Sequence, residues 1–432
     1  MELIEVLVLV FTFIILLSVG VPISFSIGLS TLATMLLSIN TIPSFTTVAQ
    51  RMATGIDSFA LLAIPFFVLA GQLMNSGGIA RRLIDFAKIL VGKLPGGLAF
   101  VNIMSAMLFG AISGSAVAAT SAIGGFMAPV MKKEGYDEAF SAAVNITSST
   151  TGLIIPPSNI LIVYSLASGG VSIAALFLAG YIPGIIVGLS LMIVAGIHAK
   201  RNKYKVSADV KLGYALKKFL DAIPSLLLII IVIGGIVAGY FTATEASAVA
   251  VLYAFILSVF VYKEVKFKDL AKILIDSAST TAIVMLLVGT SMAMSWVMAY
   301  ENIPQNVAAA LLTLSDQPIM VLIIINIILL FVGTFMDMTP AVLIFTPIFL
   351  PIAVELGIDP IHFGIIMVMN LSIGLCTPPV GSILFVGCSI ANLPITKVIK
   401  PLIPMYIAMI AALILVTYLP QLSLFIPEFF GY

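Results

Sequence analysis

Charge is what this 432-residue chain lacks most. Only 9% of its residues are Asp, Glu, Lys or Arg, where a soluble domain carries roughly 25%. Beside a hydrophobic share of 61%, that scarcity excludes a soluble protein and implies an all-α polytopic membrane protein embedded in a lipid bilayer. The net charge of +1 gives nucleic acid nothing to bind. Two cysteines, Cys376 and Cys388, build no disulfide framework. The two histidines, His198 and His362, have no metal-ligand company and suit a membrane interface, as do the single Trp296 and nearby Tyr300. No Walker-type glycine-rich lysine motif is present, which excludes a P-loop ATPase. A cleavable leader is not expected, because Glu2 and Glu5 replace the basic n-region and the apolar run continues past Gly20. Glycine (33) and proline (22) are plentiful instead, as where membrane helices pack closely and bend.

Apolar segments lie near 4–20, 22–38, 58–75, 97–131, 137–167, 173–197, 219–241, 246–262, 279–298, 318–354, 361–391 and 399–419. Segments 97–131 and 318–354 are too long for one span and too short for two with a loop. Each has a small or polar centre, Ser113-Gly114-Ser115 in one and Gly333-Thr334 to Thr339-Pro340 in the other. Both read as re-entrant hairpins. Segments 137–167 and 361–391 are each interrupted by a Pro-Pro pair, Pro156-Pro157 and Pro378-Pro379. A broken helix at membrane depth is tolerated only where it is buried in protein or lines a cavity.

The pattern repeats. Gly135-Tyr-Asp137 corresponds to Gly357-Ile-Asp359 at an offset of 222 residues from 135 to 357, and the Pro-Pro pairs share that offset from 156 to 378. Each half reads as three spans, a hairpin, a broken span and a closing span. The first repeat covers 1–200 and the second 219–432, with a basic linker at 201–218 between them. Lysines and arginines gather at 198–218 and 263–272, beside the first hairpin (Arg81, Arg82, Lys88, Lys93, Lys132, Lys133) and at Lys397 and Lys400. The second hairpin is flanked by Asp316 and Glu355 without a nearby cation. Positive-inside bias then puts the first hairpin's base in the cytoplasm and the second's outside, so the repeat is inverted. Arg51 is the exception, left on the outer face.

Inverted repeats bring two hairpin tips and two breaks to the midplane. Helix fragments ending there offer positive dipole ends to anions, and unwound carbonyls suit a small hard cation. Ser113, Ser115, Thr120, Ser158, Asn159, Thr334, Thr339, Ser372, Thr377 and Ser382 supply polar groups around the four points. Single hydroxyls at that depth also bond back to their own helix or join helices together. Asp337 stands apart, since an intramembrane carboxylate marks a functional site by default. It would neutralise a cation, carry a proton or meet a substrate hydroxyl, or else serve the hairpin tip structurally. Glu245 has a simpler role, in a capping box with Thr242. A Ser-Gly-Ser nucleophile would need a base, and no histidine or lysine is placed near it, so an enzyme is not expected.

Several stretches together resemble the large membrane subunit of tripartite ATP-independent periplasmic (TRAP) transporters. They are Ile64-Pro-Phe-Phe-Val-Leu-Ala-Gly71, Gly77-Gly-Ile-Ala-Arg-Arg82, Gly110-Ala-Ile-Ser-Gly-Ser-Ala-Val-Ala118, Ile155-Pro-Pro-Ser158, Gly239-Tyr-Phe-Thr-Ala-Thr-Glu245 and the Gly333 to Pro340 segment. The resemblance spans roughly residues 60 to 390. It implies an elevator-type importer of the bacterial inner membrane, with a scaffold and a mobile transport domain, coupled to sodium. It also implies two partners: a small four-helix membrane subunit, expected as a separate chain, and a periplasmic substrate-binding protein. Carried over by motif, one sodium would sit among Ser113, Gly114, Ser115, Gly152 and Pro156, and a second among Gly333, Thr334, Asp337, Cys376, Thr377 and Pro378. Ser113, Ser115, Ser158, Asn159 and Asp337 would meet an organic-acid substrate. Asn159 adds a polar group that favours sialic acid or another sugar acid, with a C4-dicarboxylate next. The alternative is a stand-alone ion-coupled antiporter or exporter of anions on the same plan.

Overall fold

The computed structural model describes residues 2–94, 96–204, 212–314 and 317–432, and every regular element among them is a helix. Lys205, Lys211 and Asp316, used in the topology reading, lie outside the described residues. The first half runs α1 (Glu2–Ser18), α2 (Ile23–Ser38), α3 (Thr41–Ile56), α4 (Ala63–Ser76, entered through a 3-10 turn at Phe59–Leu62), α5 (Ile79–Val91), α6 (Gly97–Ser113), α7 (Ala116–Lys133), α8 (Glu138–Ser149), α9 (Thr151–Ile154), α10 (Asn159–Ala167) and α11 (Ile173–Arg201). The second half runs α12 (Leu212–Val237), α13 (Ala243–Phe255, extended by a π-helical turn at Ile256–Val261), α14 (Phe267–Tyr300), α15 (Ile303–Leu314), α16 (Pro318–Phe335), α17 (Met338–Glu355), α18 (Pro360–Gly374), α19 (Ser382–Ala391), α20 (Ile395–Tyr418) and α21 (Gln421–Phe429). Among the described residues, 8 helices are long and apolar enough to cross a membrane, and α8–α9 with α10 form one more, bent by 50°.

Both expected hairpins are present. The first turns at Gly114-Ser115. Gly114 takes a left-handed φ of +62°, and Ser115 caps α7 by accepting the Ala118 amide at 3.2 Å. The second turns at Met336-Asp337, both extended. Asp137 and Asp359 cap α8 and α18 at corresponding positions. The capping box of Thr242 and Glu245 opens α13 as expected.

Four helices lie between or beyond the expected spans: α3, α5, α15 and α21. Helix α5 shows why hydropathy passes over them. Arg81, Arg82, Asp85 and Lys88 share its sequence with a buried face of Leu83, Phe86 and Ala87, so the helix is amphipathic rather than apolar. Helices α5 and α15 each precede a hairpin and pack on it. The third span also differs between the halves. In the second it is a single 34-residue helix, α14, starting at Phe267 rather than 279. In the first it is the kinked pair α3–α4, parted at Asp57-Ser58.

The halves are arranged head to tail. The base of the first hairpin (Lys132) and the start of α8 (Glu138) border one pocket with the end of α19 (Asn392). At the opposite end, the Tyr164 hydroxyl on α10 donates to the Pro360 carbonyl at the start of α18 at 2.6 Å. Each broken helix therefore runs from the hairpin base of its own repeat, through its break, to the hairpin base of the other. The two tips face each other between them.

Close backbone approach locks each hairpin to its own broken helix. A Cβ on Gly110 would lie 2.6 Å from the Gly152 Cα, and one on Gly333 would lie 3.0 Å from the Gly374 Cα. Asparagines reinforce both seams. The Asn145 side-chain amide donates to the Thr120 carbonyl at 3.0 Å, and that of Asn370 donates to the Asn326 side chain at 2.5 Å. A separate bundle of α1–α4 and α12–α14 packs alongside, through α4 on α6 and α14 on α17.

Candidate functional site

A proline has no amide hydrogen, so each Pro-Pro pair removes two donors from the helix ladder. In the first break these would have met the Gly152 and Leu153 carbonyls. The Ser158 hydroxyl bonds the Leu153 carbonyl at 2.6 Å, and among the described residues no donor meets the Gly152 carbonyl. In the second break the replacements are complete. The Gly374 carbonyl accepts from the Thr377 amide at 2.9 Å, and the Leu375 carbonyl accepts from the Ile383 amide at 3.1 Å. The Tyr406 hydroxyl donates to the Cys376 carbonyl, and the Gly381 amide donates to the Thr334 carbonyl at 3.1 Å. Both Pro-Pro bonds are cis.

The tips and breaks enclose a cavity of ≈ 200 Å³. Four corresponding residues project into it. Ser115 and Asp337 are the N-caps of α7 and α17, related by the same 222-residue offset, from 115 to 337. Asn159 and Ser382 are the first residues of α10 and α19, one after each break. Four helix N-termini thus converge on one space. Asp337 makes no capping bond with its own helix and is exposed at the cavity wall. The Ser382 hydroxyl is buried without a hydrogen-bond partner. Asn159 packs on the turn at Gly114, where a Cβ would meet its side-chain nitrogen at 3.0 Å.

Of the residues singled out in the sequence, Gly114, Ser115, Asn159, Asp337, Thr339 and Ser382 line the cavity. Ser113 and Ser158 stand behind the wall. Ser113 is buried, with its hydroxyl 3.4 Å from the Ser115 carbonyl, and Ser158 is fully buried against Leu153. Gly152 and Pro156 form the first break behind the first tip. Gly333 and Thr334, with Cys376, Thr377 and Pro378, form the corresponding second cluster. The Thr377 hydroxyl is turned back to the Ile373 carbonyl at 2.7 Å. The adjoining bundle supplies the cavity's remaining side through Ile64 and Val68 on α4 and Thr280 and Val284 on α14. Thr280 and Val284 lie near the start of the apolar part of α14, past the charged turns that hold Lys268, Asp269, Lys272 and Asp276.

Among the described residues, no three His, Cys, Asp or Glu side chains cluster as metal ligands. The donors at the breaks are carbonyls, hydroxyls and one carboxylate. Such oxygen sets fit a hard monovalent or divalent cation rather than a transition metal. The unpartnered Gly152 carbonyl is the donor most in need of one.

An inverted helical repeat with broken helices around a polar cavity is the architecture of a secondary transporter. Comparison with known proteins makes this specific. Residues 10–422 match the model of the tripartite ATP-independent periplasmic transporter, DctM component, and the chain belongs to that family as its large membrane subunit. It is a permease subunit, not an enzyme. It is 57% identical over 426 residues (99% of this chain, 98% of the relative) to the uncharacterized protein YgiK of Salmonella typhimurium. It is 41% identical to the C4-dicarboxylate TRAP transporter large permease protein DctM of Pseudomonas aeruginosa (94% of each chain). It is 40% identical to the sialic acid TRAP transporter large permease protein SiaM of Vibrio cholerae (96% and 97% covered). The crystal structure of the Alcanivorax borkumensis YdaH transporter shares the fold, with TM-score 0.62 at 15% identity over 87% of this chain and 88% of that one.

Proposed function

We propose that this subunit imports an organic acid together with sodium, in a bacterial inner membrane. It would receive the acid from a periplasmic binding protein and work with a small membrane subunit. The balance of charge at the cavity carries the reading. Each helix N-terminus attracts an anion by about 0.3–1 kcal/mol, so four contribute on the order of 1–4 kcal/mol. Asp337 opposes this. Two unit charges about 4 Å apart at an effective dielectric of 20 repel by ~4 kcal/mol. The two effects nearly cancel, so an acid binds well only when a cation neutralises the carboxylate. The Gly152 carbonyl and the hydroxyls around both breaks offer that cation two places, one per repeat. Coupling follows from occupancy, because cation and acid each make the other's site better.

The membrane potential favours the same scheme. Importing a monoanion against an inside-negative potential costs about 2.3 kcal/mol per 100 mV, whereas two sodium ions with one monoanion are driven inward by the same amount. Nearly equal identity to C4-dicarboxylate and sialic acid permeases leaves the choice of acid to the cavity wall. There the Asn159 amide and the free Ser382 hydroxyl favour a hydroxylated acid, sialic or another sugar acid first and a C4-dicarboxylate second. We further propose that the cavity crosses the membrane by an elevator motion, the hairpins and broken helices moving against the bundle of α1–α4 and α12–α14.

Reconstituted uptake of labelled acids tests this, with sodium, binding protein and small subunit omitted in turn. Each omission is expected to abolish uptake. Transport that persists without sodium and follows a proton gradient would overturn the coupling and make Asp337 a proton carrier. Transport by the large subunit alone would favour a stand-alone antiporter or exporter.

A further inference from the structure

The largest of the cavities described lies away from the breaks. It occupies ≈ 540 Å³ between the start of α8, the end of α11 and the start of α20. His198, Arg201, Lys397 and Lys400 line it, above aliphatic walls from Val194, Ile197, Pro404 and Met405. Its one carboxylate, Asp137, is engaged in capping the Phe140 amide at 2.7 Å, and the His198 ring stacks on Phe140 at 3.9 Å between centroids.

Positive-inside bias explains why cations lie on this face, but not why these three share one pocket without partners. Three other cations of the same face do have partners. Lys132 meets Glu138 at 3.0 Å, Lys218 meets Asp85 at 2.7 Å, and Arg82 lies over the Tyr262 ring and 3.8 Å from Glu264. Among the described residues, Arg201, Lys397 and Lys400 meet no anion. Arg201 ends a 29-residue helix, about 43 Å long at 1.5 Å per residue. A hydrocarbon core is about 30 Å thick, so the pocket sits at headgroup level with its apolar walls pointing into the bilayer.

The inverted repeat covers the matching groove. Its counterpart on the opposite face lies among the start of α18, the end of α20 and the start of α11. There α21 packs across α11 and α18, burying Ser423 and Pro427. On the basic face no described helix does so. The apolar walls exceed what a free phosphate would use. We propose that the pocket binds an anionic phospholipid, its phosphate held by Arg201, Lys397 and Lys400 and its acyl chains along α11 and α20. This inference rests on the membrane orientation and not on the cargo or its coupling ion.

The test uses delipidated, purified protein and vesicle-derived phosphatidylglycerol, with phosphatidylcholine and inorganic phosphate as separate arms, read by native mass spectrometry. Phosphatidylglycerol is expected to be retained over phosphatidylcholine. Each cation removed by Lys397→Gln, Lys400→Gln or Arg201→Gln is expected to weaken retention roughly fivefold, and all three on the order of 100-fold. Lys397→Arg with Lys400→Arg should retain it and serves as the folded control, as does Lys132→Gln with Lys133→Gln. Equal retention of both lipids, loss in the control pair, or displacement of the lipid by millimolar inorganic phosphate would overturn the proposal.

Discussion

The two repeats build the same four-point cavity with unequal chemistry. In the first, the tip residue is Ser115 and the break leaves the Gly152 carbonyl unmet. In the second, the tip residue is Asp337 and both carbonyls stripped by the prolines, Gly374 and Leu375, find new donors. The first half thus presents a neutral tip beside an under-bonded break, and the second a carboxylate tip beside a break whose stripped carbonyls are met again. Backbone symmetry supplies the geometry. Single substitutions at matched positions supply the difference in chemistry.

The largest expected effect concerns the seams. Gly110→Ala places a methyl group 2.6 Å from the Gly152 backbone, whereas Gly333→Ala meets Gly374 at 3.0 Å. Overpacking of this kind costs typically 1–3 kcal/mol, so Gly110→Ala should cost about 3 kcal/mol and Gly333→Ala about 1 kcal/mol in detergent-unfolding midpoints. Equal losses would show that the seams are mechanically alike. Next comes the tip pair. Asp337→Asn should lower sodium-driven uptake about 10- to 100-fold, as for loss of a charged contact worth roughly 1.5–3 kcal/mol. Ser115→Ala removes a helix cap worth about 0.5–2 kcal/mol and should leave uptake within about fivefold. The reverse order would move the charged role to the first repeat.

The residues after the breaks come third. Asn159→Ile should raise the KM for a sugar acid about fivefold, for the loss of a hydrogen bond worth roughly 1 kcal/mol, with little change for a C4-dicarboxylate. An equal effect on both acids would remove Asn159 from substrate selection. The smallest effect is expected at Thr280, which lies in the adjoining bundle rather than in the hairpins and broken helices proposed to move. Thr280→Val should change half-saturation about twofold on one side of the membrane only, for a contact near the lower end of hydrogen-bond energies. Equal change on both sides, measured in oriented liposomes, would argue against relative motion of the bundle and the cavity.

The sequence revealed what polar backbone at membrane depth makes unavoidable. Pro-Pro pairs, small-residue tips and lysine placement led to both hairpins, both broken helices and their inversion, because each would be intolerable in lipid without the fold that surrounds it. The amphipathic helices were hidden, since Arg81, Arg82, Asp85 and Lys88 dilute the hydropathy of α5 while its buried face does the packing. Thr280 was hidden for a different reason. It is one hydroxyl on an unbroken helix, bonded to its own Asp276 carbonyl at 2.9 Å, and only tertiary placement brings it to the cavity. The orientation of Ser158 away from the cavity was equally invisible, because it depends on which carbonyl the second proline strips of its donor.

The glycine seams restrict the motion proposed above. A hairpin that swung like a hinged flap would have to unzip Gly110 from Gly152, or Gly333 from Gly374, and so expose stripped carbonyls to lipid. In the elevator motion proposed above, the compartment would travel instead as a drawer whose floor and sides are fastened together. It would slide past Ile64, Val68 and Val284, an apolar flank interrupted by the Thr280 hydroxyl.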